Sequence, residues 1–343
     1  MSTAAEVGRR RPAPSLSIIV PAYNAEREIA ECLGALRAAA PPDAELIVVD
    51  DASIDETPDV AKAAGATVLR LVRNSGPGAA RNHGVAHADG DVILFVDADV
   101  VVAPDALGRV GRTFADDPGL AALFGSYDDR PRAPGLVSRY RNLLHHFVHH
   151  AGRAEASTFW AGLGAVRRAA FLAVGGFDAV RFPRPSIEDI ELGVRLRRAG
   201  HRIRLDPMVQ GTHLKRWTLA SMVRVDVTRR ALPWARLILE TAQTPTDLNL
   251  SPSQRVTAAL AGVAVLGLVL APLRPAPALA VALGALAGVA VLNRRFYVLL
   301  WHRGGFPLLA AGFPLHVLYF LYSAATFVYA ALEARFAGRG RRP

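Results

Sequence analysis

The sequence has almost no cysteine and, before about Ser251, no long hydrophobic run. Among its 343 residues Cys32 is the only cysteine, which excludes an intramolecular disulfide and fits a reducing compartment. The early apolar run Leu16–Val20 is too short for the core of a signal peptide. We therefore expect residues 1–14 to be a basic tail and not a cleaved leader.

The chain also has fewer acidic than basic residues. The chain has 40 Lys and Arg against 30 Asp and Glu, a net charge of +10. Such a balance permits nucleic acid, anionic lipid or a phosphorylated ligand as a partner. No motif that reads DNA or RNA is present, and the basic residues recur beside hydrophobic helices. The sequence therefore predicts contact with membrane lipid and no nucleic-acid partner.

The most informative stretch is Asp91–Val100, in which an apolar run leads directly into two carboxylates. A short run without polar alternation is typical of a strand buried on both faces of a parallel α/β sheet. Ligands of such sheets bind at the carboxyl ends of the strands, where Asp97 and Asp99 stand. Two neighbouring acids repel each other unless a cation lies between them. A divalent ion carrying a diphosphate, Mg²⁺ or Mn²⁺, meets that need.

The segments before this strand alternate between strand and helix. Ser15–Val20, Glu45–Val49 and Ala66–Leu71 are predicted strands, and the segments between them have the apolar spacing of helices packed on a sheet. The order β-α-β-α-β favours a parallel sheet with right-handed crossovers. The turn Asn74–Asn82 brings glycines and Arg81 to a helix start, where a phosphate can bind.

Taken together, the motifs of this half resemble those of the family 2 inverting glycosyltransferases, which have the GT-A fold. The resemblance covers about Leu16–Trp217 and rests on four motifs in the order of the family, namely Ile18–Asn24, Val48–Asp55, Asn74–Asn82 and Phe95–Asp99. The second half adds motifs similar to those on the acceptor side of that family, which are Trp160–Gly164, Gly175–Asp178 and Ile187–Leu196. The implied fold is a Rossmann-like mixed sheet followed by interfacial and transmembrane helices.

The resemblance implies a role for each matching residue on the donor side. Asp97 and Asp99 are expected to hold the metal ion, Asp97 also facing the ribose diphosphate. Asp50, Asp51 and Tyr23 are expected to bind the nucleotide, and Arg81 the diphosphate. The alternative for Asp97 and Asp99 is that they cap the following turn. Asp50, Asp51 and Tyr23 would instead cap loops and pack in the fold, and Arg81 would be an exposed helix cation.

Asp189 is the candidate catalytic base. A displacement at the anomeric carbon requires the acceptor hydroxyl to lose a proton, which a carboxylate can accept. Glu188 and Glu191 compete for this role, and all three acids also suit the positive end of a helix. If the acceptor were a lipid phosphate, already ionised, Asp189 would orient groups instead. Gly162, Gly176, Asp178 and Glu188 complete the expected acceptor side.

Two histidine features remain open. His145–His150 contains histidine pairs four residues apart, a spacing that suits either a zinc site or a structural helix. His213 stands where processive relatives carry the Gln of a Gln-x-x-Arg-Trp motif, while Arg216 and Trp217 are retained. Loss of the Gln argues against processive polymerisation. His213 is expected either to reach the metal or diphosphate, or to be an ordinary loop residue.

The remainder of the chain has the composition of a membrane segment. Trp217–Glu240 mixes apolar and arginine residues, which predicts an amphipathic interfacial helix, broken at Pro233. Three segments have the length of a membrane span, namely Val256–Leu273, Ala276–Leu292 and Pro307–Leu332, with an interfacial loop expected over Asn293–Phe306. Three crossings would place the basic tail outside, against the positive-inside rule, so a re-entrant first pair stays an alternative.

The predicted organisation is a basic tail (1–14), a GT-A catalytic domain (15–216), interfacial helices and a linker (217–254), transmembrane helices (255–333) and a second basic tail (334–343). We expect a multi-pass protein of the inner membrane with its catalytic domain on the cytoplasmic face, a hexosyltransferase that moves sugar from a nucleotide-diphosphate donor to a lipid-linked or envelope acceptor. A polyprenyl-phosphate glycosyltransferase is the nearest alternative, and a non-catalytic scaffold is another. A transporter is disfavoured, because no buried acid or base is expected within the spans.

Overall fold

The computed structural model describes residues 13–241 and 248–339, without the side chains of 337–339. Most of the predicted N-terminal tail, part of the linker after Thr241 and the last residues of the C-terminal tail lie outside the described residues. One mixed sheet of eight strands has the order β3-β2-β1-β4-β7-β6-β8-β5. Its strands are β1 (Leu16–Ala22), β2 (Glu45–Asp50), β3 (Thr67–Arg70), β4 (Val92–Val96), β5 (Val100–Val102), β6 (Leu120–Tyr127), β7 (Leu163–Arg167) and β8 (Arg202–His213).

The predicted α/β class is confirmed by the pairing of these strands. β1 pairs in parallel with β2 and with β4, so that Ile18 lies beside Leu46 and Leu94. β4 then pairs antiparallel with β7, with Leu94 opposite Ala165. All five residues of β4 are buried, as an uninterrupted apolar run requires when both faces of a strand are covered. β4 is therefore a central strand, and its carboxyl end leads into Asp97.

The chain forms two compact units. The first contains the described residues up to Gly125, with Ala154–Arg184 and Leu192–Gly211. The second contains Ser126–Arg153, Pro185–Glu191 and the described residues from Thr212 onward. The boundaries predicted from composition stay a prediction, since these units interleave along the chain.

Helices cover the sheet of the first unit. They are α1 (Ile29–Ala39), α2 (Thr57–Ala63), α3 (Pro77–Ala86), α4 (Ala106–Asp116), α6 (Arg168–Ala173) and most of α7 (Glu188–Arg198). The apolar stripe of α1 is buried as its spacing predicts, with Ile29, Leu33 and Leu36 wholly covered. α3 begins directly after Gly76, and Arg81 lies within it.

The second unit is helical. It contains α5 (Leu136–His150), α8 (Leu219–Val225), a π-helical turn (Asp226–Ala231), α9 (Leu232–Thr241), α10 (Pro252–Leu270), α11 (Pro275–Leu292) and α12 (Arg294–Arg339). The predicted break at Pro233 is wrong. The α-helical pattern changes earlier, at the π-helical turn, where Leu232 N–H donates to the Val227 carbonyl five residues back. Pro233 then falls in the first turn of α9, where a missing N–H is tolerated.

Three helices, Pro252–Leu270, Pro275–Leu292 and Arg294–Phe336, are long and apolar enough to cross a membrane. The interfacial loop predicted over Asn293–Phe306 is wrong, because α12 is already helical from Arg294 and departs from helical geometry at Gly305, with φ at 62°. Phe296, Tyr297 and Leu300 are drawn into an apolar cluster with Tyr140 and Trp217, which stabilises this turn as helix.

One buried base lies within the third apolar helix, contrary to the expectation that the spans contain none. His316 is 1% exposed. Its Nδ1 lies 3.0 Å from the Tyr297 hydroxyl, and the rings of Phe296 and Phe320 pack around it. The histidine is therefore a packed component of the apolar cluster.

Candidate active site

The centre of the first unit is the turn between β4 and β5 that carries Asp97 and Asp99. The Asp97 amide donates to the Gly162 carbonyl at 3.1 Å, and Val100 N–H donates to the Asp97 carbonyl at 3.0 Å. These bonds fix the turn, while 35% of the Asp97 side chain remains accessible. Gly162, predicted for the acceptor side, thus supports the backbone of the predicted metal ligand.

Below this turn lies the buried thiol of Cys32, whose Sγ is 3.6 Å from the Asp97 carbonyl oxygen. Burial raises the pKa of Cys32, and the carboxylates of Asp99 and Asp97 raise it further. The thiol is therefore neutral at physiological pH and acts as a small apolar group beneath the two acids.

Arg81 supplies a cation to this pair of acids. Its Nη2 lies 2.6 Å from Asp97 Oδ1, and only 5% of its side chain is exposed. The guanidinium also lies over the ring of Phe177, 5.4 Å from the centroid. A protein cation therefore balances one of the two carboxylates, in addition to any metal ion that the site takes up.

Asn82, the residue after Arg81, joins α3 to the Gly175–Gly176 turn. Its amide nitrogen donates to the Phe177 carbonyl at 2.8 Å, and its Oδ1 accepts from Phe177 N–H at 2.9 Å. Gly176 has a φ of +69°, and a Cβ there would lie 2.7 Å from Asn82 Oδ1. Asp178 closes the next turn, since its Oδ1 accepts from Arg181 N–H at 2.9 Å. Sequence reasoning identified Arg81, Gly176 and Asp178 separately and missed Asn82 as their link.

Asp50 and Asp51 are bonded within the fold. Asp50 is fully buried, accepts from Ser53 N–H at 3.1 Å and lies 3.2 Å from Arg70 Nε. Asp51 is 3% exposed and accepts from the amides of Ser75 at 2.7 Å and Gly76 at 2.8 Å. Burial raises the pKa of Asp51, and the Asp50 carboxylate adds to this against the opposing effect of the two amides.

Asp50 and Asp51 therefore hold loops in place, which was the alternative to nucleotide binding. Nucleotide binding by these two acids stays a prediction. Tyr23, which follows β1, differs from them because its ring is 49% exposed and available to a ligand.

In the second unit, the segment Pro185–Glu191 carries the candidate base. Glu188 is 5% exposed and Glu191 is 8% exposed, while Asp189 is of intermediate exposure. Glu188 Oε2 accepts from Ser186 N–H at 2.8 Å and so fixes the residues just before α7. Among the three competing acids, Asp189 is the one that solvent reaches best.

His213 is one of a group of aromatic rings within the same unit. It stacks on Tyr127 with centroids 4.4 Å apart and an interplanar angle of 8°. His145 lies 4.2 Å from the Tyr127 ring, and His149 lies 4.0 Å from His145. Burial lowers the pKa of His145 well below its usual range, and the electrostatic influence of His149, Arg230 and Arg141 lowers it further. His145 therefore packs in its neutral form.

The zinc alternative for His145–His150 gains no support from the described residues, in which no group of three or more His, Cys, Asp or Glu side chains could hold a metal ion. Asp97 and Asp99 are only two side chains, so they do not count as such a group. Two carboxylates still fit Mg²⁺ or Mn²⁺, because these ions take their remaining ligands from phosphate oxygens and water. The partial exposure of Asp97 leaves room for that.

A buried charge network in the second unit was missed by the sequence argument. Asp226 is 3% exposed; Arg141 Nη2 lies 2.7 Å from its Oδ1, and the Tyr322 hydroxyl donates to its Oδ2 at 2.6 Å. Arg230 Nη1 is 4.0 Å from the same Oδ1. The available signal was a single acid, Asp226, surrounded by arginines in the predicted interfacial helix.

Comparison with known proteins shows the fold and a family to which part of the chain is similar. Residues 17–175 match the model of the family described as Glycosyl transferase family 2. This part, which is under half of the chain, is therefore similar to the family 2 glycosyltransferases. This match includes every predicted donor-side residue from Tyr23 to Asp99, with Gly162.

Similar proteins bear this out over parts of their length. The chain is 41% identical over 102 residues to a poly(ribitol-phosphate) beta-glucosyltransferase of Bacillus spizizenii, covering 27% of this chain and 16% of that protein. It is 38% identical over 100 residues to the succinoglycan biosynthesis protein ExoO of Rhizobium meliloti, covering 28% and 29%. The alignments thus span less than a third of these relatives' own length.

Solved structures show the same fold. The mannosyltransferase PcManGT of Pyrobaculum calidifontis, solved with GDP-Man and Mn²⁺, superposes with a TM-score of 0.58 at 20% identity, covering 92% of this chain and 88% of that one. GalNAc-T7, solved with UDP, GalNAc and Mn²⁺, gives a TM-score of 0.50 at 14% identity, covering 66% and 48%. The predicted GT-A fold is therefore confirmed.

Proposed function

We propose that this protein is a membrane-anchored inverting glycosyltransferase that moves a sugar from a nucleotide-diphosphate donor to a lipid-linked or cell-envelope acceptor. The observation that carries the proposal is the Asp97–Asp99 turn of a family 2 domain, with Arg81 bonded to Asp97. Relatives named as a poly(ribitol-phosphate) beta-glucosyltransferase and as a succinoglycan biosynthesis protein support an envelope acceptor.

On the donor side, Asp97 and Asp99 would hold Mg²⁺ or Mn²⁺. The bound ion would neutralise charge on the diphosphate as it leaves. Arg81 provides a fixed guanidinium next to the same carboxylates, and such a group can donate two parallel hydrogen bonds to phosphate oxygens. Tyr23 offers an exposed ring on which a base can stack.

On the acceptor side, Asp189 would accept the proton of the attacking hydroxyl. Its partial exposure favours it over Glu188 and Glu191. His213 would then be held by its stacking on Tyr127 and would not act as a free base. In a direct displacement of this kind the new glycosidic bond forms on the face opposite the leaving diphosphate, and the anomeric configuration inverts.

Membrane anchoring would come from the three apolar helices, together with Arg236 of α9 at the lipid headgroups. We place the protein in the cytoplasmic membrane as a multi-pass protein, with the family 2 domain in the cytoplasm, where nucleotide sugars are made.

A lipid phosphate is the second candidate acceptor. The observation that favours it is that Arg141 and Arg230 share one carboxylate, Asp226, so that cationic charge is in local excess. In that reaction the attacking oxygen is already ionised, and Asp189→Asn would retain transfer.

The test is transfer of labelled sugar from UDP- and GDP-linked donors into membrane lipid by the detergent-solubilised protein with Mn²⁺. Asp99→Asn is the test variant, and Asp43→Asn, which changes an exposed acid before β2, is its matched control. We expect metal-dependent transfer in the wild type and the control, and a loss of at least about a hundredfold in Asp99→Asn. Equal transfer by all three proteins, or transfer that chelation leaves unchanged, would contradict the proposal.

A further inference from the structure

The π-helical turn Asp226–Ala231 is an irregularity that the proposed reaction has not used. A π-helical turn is less stable than α-helix and occurs mostly as a single turn, often near functional sites. Here it separates α8 from α9 and carries both Asp226 and Arg230, four residues apart. Asp226 is held by residues of two other helices, because it bonds to Arg141 of α5 and to Tyr322 of α12.

The same turn is bonded to the segment that carries the candidate base. The Ser186 hydroxyl donates to the Arg229 carbonyl at 2.9 Å. Its backbone N–H donates to Glu188 Oε2 at 2.8 Å. Ser186 therefore holds the π-helical turn with its side chain and the start of α7 with its backbone. Asp189 is three residues further along this short segment.

Charge links the turn to the same segment. The guanidinium of Arg230 lies 4.0 Å from Asp226, whose oxygens are already bonded to Arg141 and Tyr322. Partial burial lowers the pKa of Arg230 and the Arg141 cation lowers it further, whereas Asp226, Tyr127 and Asp189 act in the opposite direction. An arginine stays protonated under such opposing influences. Arg230 is thus a permanent cation within electrostatic reach of Asp189.

We propose that the π-helical turn positions the segment that carries the proposed base, with the Ser186–Arg229 bond as the tether and Arg230, in the same turn, as the positioning residue for Asp189. This inference rests on the proposed function for its effect on catalysis. The contacts themselves do not depend on it. The bonds of Asp226 to Arg141 and Tyr322 anchor the turn.

Two measurements test the proposal. The first is steady-state sugar transfer by Arg230→Gln and Arg230→Lys, with Arg224→Gln as the matched control, because Arg224 is an exposed arginine of α8. We expect Arg230→Gln to lower kcat about tenfold or more while the donor KM changes less than about twofold, and Arg230→Lys to recover most of the rate. In an Asp189→Asn background Arg230→Gln should have little further effect.

The second measurement is amide hydrogen exchange of the solubilised protein without donor, which needs no activity. Ser186→Ala and Arg230→Gln should each speed exchange in Ser186–Glu191 by about threefold or more, and Arg224→Gln should not. Unchanged exchange in both test variants, or a kcat of Arg230→Gln equal to that of Arg224→Gln, would overturn the proposal. Faster exchange in both test variants, combined with a wild type that transfers no sugar, would leave the positioning intact and contradict the proposed function alone.

Discussion

At the scale of single residues, charge in the donor half is organised around Asp97. Its carboxylate has a guanidinium at 2.6 Å, its amide bonds to the Gly162 carbonyl, and a buried thiol lies against its own carbonyl. A strand that ends in two acids was enough to predict this centre. Arg81 was predicted in the first turns of α3 and is found there, whereas its bond to Asp97 was not predicted and its diphosphate role stays a prediction.

Arg81 should not be replaceable by lysine. Lysine keeps the charge but loses the planar fork that bonds Asp97 and lies over Phe177. We expect Arg81→Lys to raise the donor KM about tenfold, measured by sugar transfer at varied donor concentration. Arg73→Lys, in an exposed position of the preceding loop, is the control. If the two variants gave the same KM, Arg81 would have no donor role.

The residue contacts that sequence reasoning missed join distant parts of the chain. Asn82 and Phe177 are 95 positions apart, and Arg141 and Asp226 are 85 apart. No local spacing reports such pairs, because they depend on how elements are placed by the sheet and by helix packing. Asp50 and Asp51 show the converse, since a motif located them correctly at the end of β2 without indicating that both are buried and bonded to loops.

At the scale of elements, two helical glycines should respond oppositely to alanine. A Cβ on Gly34 of α1 meets open space, whereas one on Gly193 of α7 would collide with the backbone of Phe159 and lie 2.7 Å from the Thr158 carbonyl carbon. We expect Gly34→Ala to stabilise by about 0.5–1 kcal/mol, from helix propensity alone. Gly193→Ala should destabilise by about 2 kcal/mol or more. The melting temperature of each variant, compared with that of the wild type, measures both effects. A melting temperature of Gly193→Ala that is raised like that of Gly34→Ala would contradict this packing of α7.

An ion pair at the end of α4 gives a pH-dependent prediction. A hydrogen bond from Arg202, at 2.5 Å, is the main cause that lowers the pKa of Asp117, and Arg204 lies 3.1 Å away. A lowered carboxyl pKa contributes stability above the unfolded value of about 4, and this stability is lost as the pH falls through the folded value.

Asp117→Asn should therefore cost about 0.5–1 kcal/mol at pH 7, since the arginines are half exposed and solvent screens them. The difference from wild type should shrink as the pH is lowered below about 4. Melting temperatures across that range provide the measurement. A difference that did not depend on pH would show that Asp117 acts by its shape and not by its charge.

Element prediction from sequence succeeded where one periodicity dominated. β4 and the apolar stripe of α1 are examples. It failed at Pro233, where proline indicated a break, and over Asn293–Phe306, where arginine content indicated a loop. In the second case packing on α5 favours the helix, because Phe296 and Leu300 are fully buried against Tyr140 and Leu143. Local composition does not report such tertiary partners.

At the scale of the whole molecule, the second unit contains a buried ion pair. Arg141→Met or Asp226→Leu alone should lower the melting temperature strongly, at a cost of about 3 kcal/mol, because each leaves a buried charge without its partner. The double variant should be more stable than either single one, since two apolar side chains replace two charges. Melting in detergent measures all three proteins. Additive losses would show that the two side chains act independently, and would contradict this account of the pair.

Asp97 and Asp99 are proposed to bind a divalent ion together with a nucleoside diphosphate. Calorimetric titration of UDP and GDP into the full chain, with and without Mn²⁺, measures this directly. We expect one of the two nucleotides to bind only with the metal, each ligand to raise the affinity for the other, and Asp99→Asn to abolish this coupling. Nucleotide binding that is equally strong without metal, or that Asp99→Asn leaves unchanged, would contradict it.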